Sequence, residues 1–177
     1  VIQASAWKFI INTDYGALNT LLKTLGIIQQ NVNWTPTPEA YFAWEIACGI
    51  FVTIPFVCFT ALSGLQSIDS ALYEAATVDG ANYWQKLFHI TLPLVKPSLT
   101  VATVLNIIYV FNSFPIVWTI TKGDPASRTD TLVTYLYKLA FYNGKQGEAA
   151  AVSVIGFLIL LVCASCYMVS TLKKGDE

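Results

Sequence analysis

Glu74-Ala75-Ala76-Thr77-Val78-Asp79-Gly80, followed nine residues later by Ile90-Thr91-Leu92-Pro93, is the stretch on which this chain turns. It is polar, rich in small residues, and set between two apolar segments. Asp69 is placed to cap a short helix, with Ile68 before it and Tyr73 at the fourth helical position as a hydrophobic staple. Residues 70–78 contain neither Pro nor Gly. Gly80 follows where a left-handed cap costs little. Asn82 with Gln85 three residues on is a capping-box-like start for a second helix. Pro93 disfavours helical geometry at Leu92 and is expected to stop that helix. The reading is helix, Gly turn, helix. Ala75 and Ala76 leave a low-relief surface that another protein could approach closely.

Composition sets the surroundings. Of 177 residues, 55% are hydrophobic and 12% charged, where a soluble domain carries about 25% charged. The chain is a membrane protein before any window is scanned. A net charge of −1 gives no electrostatic case for nucleic acid, and no basic run exceeds Lys173-Lys174. The chain opens on Val1 without a visible signal peptide, so an upstream part is expected to be absent. Cys48, Cys58, Cys163 and Cys166 all lie in apolar stretches. Cys163-Ala-Ser-Cys166 has redox or metal spacing, but it has no second pair, and the single histidine, His89, is elsewhere. Inert membrane thiols are expected, with no metal.

Working outward, residues 1–11 read as the tail of an earlier membrane segment or an interfacial piece. Residues 12–40 are loop, with Leu18, Leu21, Leu22 and Leu25 at helical spacing until Gly26. Trp34-Thr-Pro36-Thr-Pro38 is a turn-rich linker. Ile46 to Leu65 is long enough and apolar enough to cross a bilayer, with a kink expected at Pro55. Glu45 at its edge should reach the headgroups or find a partner. Leu99 to Ile120 is a second span, where Ala102, Asn106, Tyr109 and Ser113 would share one helix face. Such polar groups either line a watery path or glue helices together. Thr53 and Phe56, beside Pro55, are candidates for the same path as Asn106, Tyr109 and Ser113. After a turn at Lys122-Gly-Asp-Pro125, residues 131–141 place Leu132, Tyr135, Leu136 and Leu139 on one side of an interfacial helix. Asn143-Gly144 breaks it, and Ala149 to Val169 is a third span ending in Lys173-Lys174.

The central stretch resembles the "EAA" loop of permease subunits of binding-protein-dependent ABC importers. Its Glu-Ala-Ala, Gly and Ile-x-Leu-Pro elements stand at matching offsets. The resemblance continues through Leu62 to Asp69, Leu72-Tyr73 and Asp79-Gly80-Ala81 before and within the loop. Beyond it come Thr129-x-Thr131-Leu132, Tyr135-x-Tyr137, Ala140-Phe141, Gly147-x-Ala149-Ala150 and Ser153. Together these are similar to the carbohydrate permeases of the maltose and multiple-sugar type. Where those carry Gly-Gly-Pro, this chain has Gly123-Asp124-Pro125.

The resemblance implies an all-α integral membrane fold. The chain, residues 1–177, would be the C-terminal part of a type I importer transmembrane domain: three spans plus a cytoplasmic coupling helix, the coupling loop covering residues 66–93. It implies contacts to an ATPase at Glu74, Ala75, Ala76, Asp79, Gly80, Ile90, Leu92 and Pro93. The implied partners are a second permease subunit, an ABC ATPase dimer that holds ATP and Mg, an extracytoplasmic solute-binding protein and the lipid of a prokaryotic cytoplasmic membrane. No cofactor is expected in this chain. A sugar or oligosaccharide is the favoured solute, with glycerol-phosphate or another polyol open beside it. The orientation rests on the resemblance: Lys86, Lys96, Lys173 and Lys174 inside do not outnumber Lys23, Lys122, Arg128, Lys138 and Lys145 outside. An integral membrane enzyme would need a catalytic set at membrane depth, and none is spaced for one. A passive channel would have no use for the Glu74–Pro93 loop.

Overall fold

The computed structural model describes residues 1–173, and within them the secondary structure is entirely helical. In chain order the helices are α1 (Ile2–Ile10), α2 (Ala17–Thr24), α3 (Pro38–Gln66), α4 (Ser70–Val78), α5 (Tyr83–Lys86), α6 (Leu92–Phe111), α7 (Phe114–Ile120), α8 (Leu132–Tyr137) and α9 (Gln146–Lys173). Two π-helical turns, Leu87–Thr91 and Lys138–Tyr142, extend α5 into α6 and lengthen α8.

Three helical runs are long and apolar enough to cross a membrane: Pro38–Gln66, Tyr83–Phe111 and Gln146–Thr171. At 29 residues the first would be about 43 Å long, more than the roughly 30 Å of a hydrocarbon core. Their apolar side chains, among them Ile50, Phe59, Leu105, Phe157 and Val162, are largely exposed, as lipid-facing or partner-facing residues of a membrane helix are.

The second span differs from the sequence reading. Leu99 to Ile120 is not one helix. The crossing run begins at Tyr83 and ends at Phe111, and α7 starts afresh after Ser113, with Pro115 in its first turn. Ser113 therefore does not share a helix with Ala102, Asn106 and Tyr109. Pro93 does not stop the second short helix either. Leu92 keeps helical angles (φ −62°, ψ −44°), and its amide bonds Leu87 O across the wide turn. A π turn just before the proline gives room to the ring, which in a regular helix meets the carbonyl four residues back. Pro55 and Pro97 lie inside α3 and α6. The first and third spans are found as expected, with longer ends. The Lys173-Lys174 pair lies outside the residues whose side chains are described.

The chain divides into two compact units. One comprises residues 1–52 and 110–158, the other 53–109 and the described residues from 159 on. In the first, Ala4, Cys48, Ile116 and Ile120 are buried together, flanked by Trp7, Tyr41 and Val52. Trp7 meets the rings of Trp44 and Phe51, each at 5.8 Å. Residues 1–11 are thus a short helix packed into this unit. The amphipathic stretch around Leu18 is α2, and Gly26 follows it at φ +71°.

Asn19 is the tie of the adjoining loop. It is 2% exposed. Its Nδ2 donates to Thr13 O (3.0 Å) and Val32 O (2.9 Å), while its Oδ1 accepts from Val32 N (3.2 Å) and Trp34 Nε1 (2.9 Å). One amide thus saturates itself and holds both ends of a segment with no sheet or long helix of its own. Asn19→Leu keeps the branched side-chain skeleton but leaves these groups unpaired. The expected cost is about 2 kcal/mol or more, read as a lower unfolding midpoint in micelles and faster proteolysis between residues 27 and 37. An unchanged midpoint and cleavage rate would show that the loop is held by something else.

Candidate functional site

The helical hairpin of residues 69–93 follows from its caps. Asp69 accepts a hydrogen bond from Ala71 N at 2.9 Å and starts α4. At the other end Ala81 N bonds Ala76 O (2.9 Å) and Gly80 N bonds Thr77 O (3.0 Å), with Gly80 at φ +77°. That pair is a Schellman closure, which needs a left-handed residue at the position Gly80 occupies. A reciprocal capping box then starts α5: Gln85 N to Asn82 Oδ1 at 2.9 Å, and Asn82 N to Gln85 Oε1 at 2.8 Å.

Two side chains of α4, one turn apart, reach the returning limb of the hairpin. Tyr73 Oη lies 2.9 Å from Thr91 Oγ1, and Lys86 Nζ donates to Thr77 Oγ1 at 2.6 Å. These contacts define the inward side of α4. Glu74, Ala75 and Val78 are exposed, Val78 by 88%, and Ala76 is half-buried. The Glu74 carboxylate has no hydrogen-bond or ion-pair partner among the described residues. Asp79 caps α4 with its backbone and is exposed. Ile90 is half-buried within the π turn, whereas Leu92 and Pro93 are exposed at the start of α6. Tyr83, Trp84 and Phe88 add exposed rings beside the hairpin, Trp84 and Phe88 stacking at 6.2 Å. The eight residues first singled out therefore fall on one capped hairpin and the helix start it feeds.

The five path candidates are not gathered in the same way. Thr53 is half-buried and Phe56 exposed on α3, on either side of Pro55. Asn106 and Tyr109 lie one turn apart on α6. Asn106 is half-buried without a hydrogen-bond partner among the described residues, and Tyr109 is 52% exposed. Ser113 stands beyond the end of that helix. A cavity of about 390 Å³ instead lies among Lys8, Asn12, Thr35, Tyr41, Thr121 and Asp124. Its polar groups are mostly spent on the chain: Lys8 Nζ on Thr119 O, and Asn12 Oδ1 on the amides of Asp14 and Tyr15.

Glu45 takes the second of the two outcomes expected for it, a partner. It does not reach outward; it is 4% exposed and accepts a 2.6 Å hydrogen bond from Thr121 Oγ1. Thr129 Oγ1 lies 2.9 Å from both Thr121 Oγ1 and Asp124 O, and Lys138 pairs with Asp130 at 2.9 Å. The threonines gave no sequence signal of this role, because their partners are 76 and 8 residues away. The Tyr73 and Thr77 contacts were also missed, although their spacing of four marks a shared helix face.

Residues 8–172 match the family model described as the inner membrane component of binding-protein-dependent transport systems. A probable ABC transporter permease protein of Brucella suis biovar 1 is 50% identical over 94% of this chain and 58% of its own length. The trehalose/maltose transport system permease protein of Thermococcus litoralis is 37% identical over 95% of this chain and 56% of its own. Among solved structures, a bacterial alginate ABC transporter in complex with an alginate pentasaccharide-bound periplasmic protein matches with a TM-score of 0.79 and 26% identity. That match covers 94% of this chain and 57% of that one. The chain thus spans somewhat over half the length of the relatives it matches. With three spans, a capped hairpin between the first two and a family match over nearly its whole length, the chain belongs to the inner-membrane components of binding-protein-dependent transport systems.

Proposed function

We propose that this chain forms part of the permease subunit of an ATP-driven importer of sugars or oligosaccharides, and that the hairpin of residues 66–93 docks on a cytoplasmic ATPase. The observation that carries the docking reading is the outward side of α4: a low-relief surface bearing an unpartnered Glu74 and an 88%-exposed Val78, on a rigidly capped helix between two spans. An exposed apolar side chain beside an unpaired carboxylate suits a partner with a complementary groove and a basic or backbone donor. Glu74, Ala75, Ala76, Asp79 and Gly80 form that contact, and Ile90, Leu92 and Pro93 carry it into α6.

The sugar reading draws its support from the trehalose/maltose relative and the alginate transporter. Asn106 and Tyr109 supply what a sugar needs, a free amide and an accessible ring, and Thr53, Phe56 and Ser113 are assigned to the same path. The remaining partners are a second permease, an ATPase dimer that holds ATP and Mg, and a solute-binding protein on the far side of the membrane. Hydrolysis belongs to the ATPase. Its binding of ATP drives transport through unequal affinity for two arrangements of the complex.

In the assembled importer, Glu74→Lys places a wrong charge at the docking surface, where such mismatches cost several kcal/mol. Gly80→Val forces a β-branched residue to a positive φ, at about 1 kcal/mol or more, and re-aims α4. Both variants should reach the membrane in normal amount, lose co-purifying ATPase and lose uptake of a labelled maltose or trehalose probe in vesicles. Full attachment and full uptake in both would leave the hairpin without a partner. A cysteine at Ser127 should react with an impermeant thiol reagent added outside intact cells, and one at Gln85 should not. Reversed labelling would place the hairpin on the wrong side for an ATPase.

A further inference from the structure

The contacts inside the hairpin close into a ring. Thr77 Oγ1 donates to Tyr73 O at 2.6 Å, and Lys86 Nζ donates to Thr77 Oγ1 at 2.6 Å. Thr91 Oγ1 donates to Lys86 O at 3.3 Å. With its only proton so used, Thr91 accepts from Tyr73 Oη at 2.9 Å. Each of the two threonine hydroxyls donates once and accepts once, and the circuit Tyr73–Thr91–Lys86–Thr77 returns to its start.

The circuit depends on two helix geometries. Tyr73 and Thr77 are one α turn apart on α4. Lys86 and Thr91 are five apart, the spacing that a π turn brings into register. The π turn of Leu87–Thr91 thus serves the clamp as well as Pro93. At the base of the hairpin α3 and α6 touch closely: a Cβ on Gly64 would lie 3.0 Å from Ser98 Cβ and 3.2 Å from Val95 Cγ1.

A Gly turn alone would be a poor transmitter. Gly80 has wide conformational freedom, so a push on α4 could be absorbed by tilting at the turn. The bonds form two chains, Tyr73 Oη–Thr91 Oγ1–Lys86 O and Lys86 Nζ–Thr77 Oγ1–Tyr73 O, joined only through the covalent frames of Tyr73 and Lys86. Bonds within each chain polarise one another, and tilting α4 at Gly80 stretches the bond that each chain makes between the limbs.

We propose that Tyr73, Thr77, Lys86 and Thr91 are positioning residues for coupling: their hydrogen-bonded circuit makes α4 and the start of the Tyr83–Phe111 span move as one body. The proposal rests on the reading of α4 as the ATPase-docking helix. None of the four is on the outward side of α4, so docking and transmission are separable.

The test uses the complete permease with its partner permease and ATPase in lipid nanodiscs, on a background in which the native cysteines are replaced. Nitroxide labels at Ser70→Cys and Leu105→Cys report the distance between α4 and the span, with and without ATP, Mg and vanadate. Tyr73→Phe removes one bond of the circuit and Thr91→Val removes two, whereas Thr91→Ser keeps the hydroxyl. The parent and Thr91→Ser should give one narrow distance population in both states. Tyr73→Phe and Thr91→Val should raise the share of displaced α4 arrangements about fivefold, with the amount of co-purifying ATPase and the unfolding midpoint unchanged. An unaltered distance population in both variants would overturn the clamp. Loss of ATPase in step with the broadening would also overturn it, by making these residues part of the docking surface. Failure of the docking reading is a different result, namely retention of the ATPase by Glu74→Lys.

Discussion

Within hydrocarbon no water is available to satisfy a backbone amide or carbonyl, so the chain must satisfy them itself. That requirement explains the three continuous helical runs and how they carry prolines. Pro55, Pro93 and Pro97 each remove a donor from a crossing run. Pro93 follows a π turn that shifts the bonding register by one residue, so the helix passes through it unbroken. The break at Asn112-Ser113 comes where α7 turns back against α1. The unit holding that break is dense in side-chain hydrogen bonds, which can take over from the helix ladder.

The polar segments between the spans are held by side chains more than by length of helix. Isolated helices as short as α4 or α8 are marginal in water. At α4 the stability comes from an aspartate cap, a Schellman closure and bonds to the opposite limb. At α8 it comes from the reciprocal Thr131–Thr134 box and the Asp130–Lys138 pair, whose carboxylate side chain is 8% exposed. The loop after α1 has one fully buried tie, Asn19, among several exposed side-chain bonds. Each segment thus has a few buried or bridging polar groups whose loss is costly, and many exposed ones whose loss is not.

Much of this was legible in the residues, for definite reasons. Caps are local: Asp69, Gly80 and the Asn82–Gln85 box act within three or four positions, so a linear reading finds them. Spans are compositional, and the first and third were found for that reason. The second was misplaced because the hydrophobic run continues past Phe111 while the backbone does not, and because Pro93 was read as a helix stop without the π turn that accommodates it. For Glu45 the sequence left two outcomes open and could not choose between them. Its partner, Thr121, is 76 residues away, and nothing near Glu45 in sequence marks an inward turn. The eight hairpin residues came out together since they share one local element. The five path candidates came from two helices and a loop, and their juxtaposition is a tertiary fact that periodicity does not contain.

The hairpin combines two properties that ordinarily oppose each other. Its outward side, with Ala75 and Val78, offers little relief and no internal partners, which leaves it free for another surface. Its inward side spends every available hydroxyl on the chain itself. A helix satisfied on both sides could not bind, and one free on both sides would tilt at Gly80 whenever it was pushed. At 3.6 residues per turn the Glu74–Val78 pair lies about 100° around α4 from the Tyr73–Thr77 pair, with Ala75 on the far side. In the coupling proposed above, the sequence Tyr-Glu-Ala-Ala-Thr-Val carries in a single helix both the docking surface and the side tied to the opposite limb, and changing either set leaves the other chemically intact.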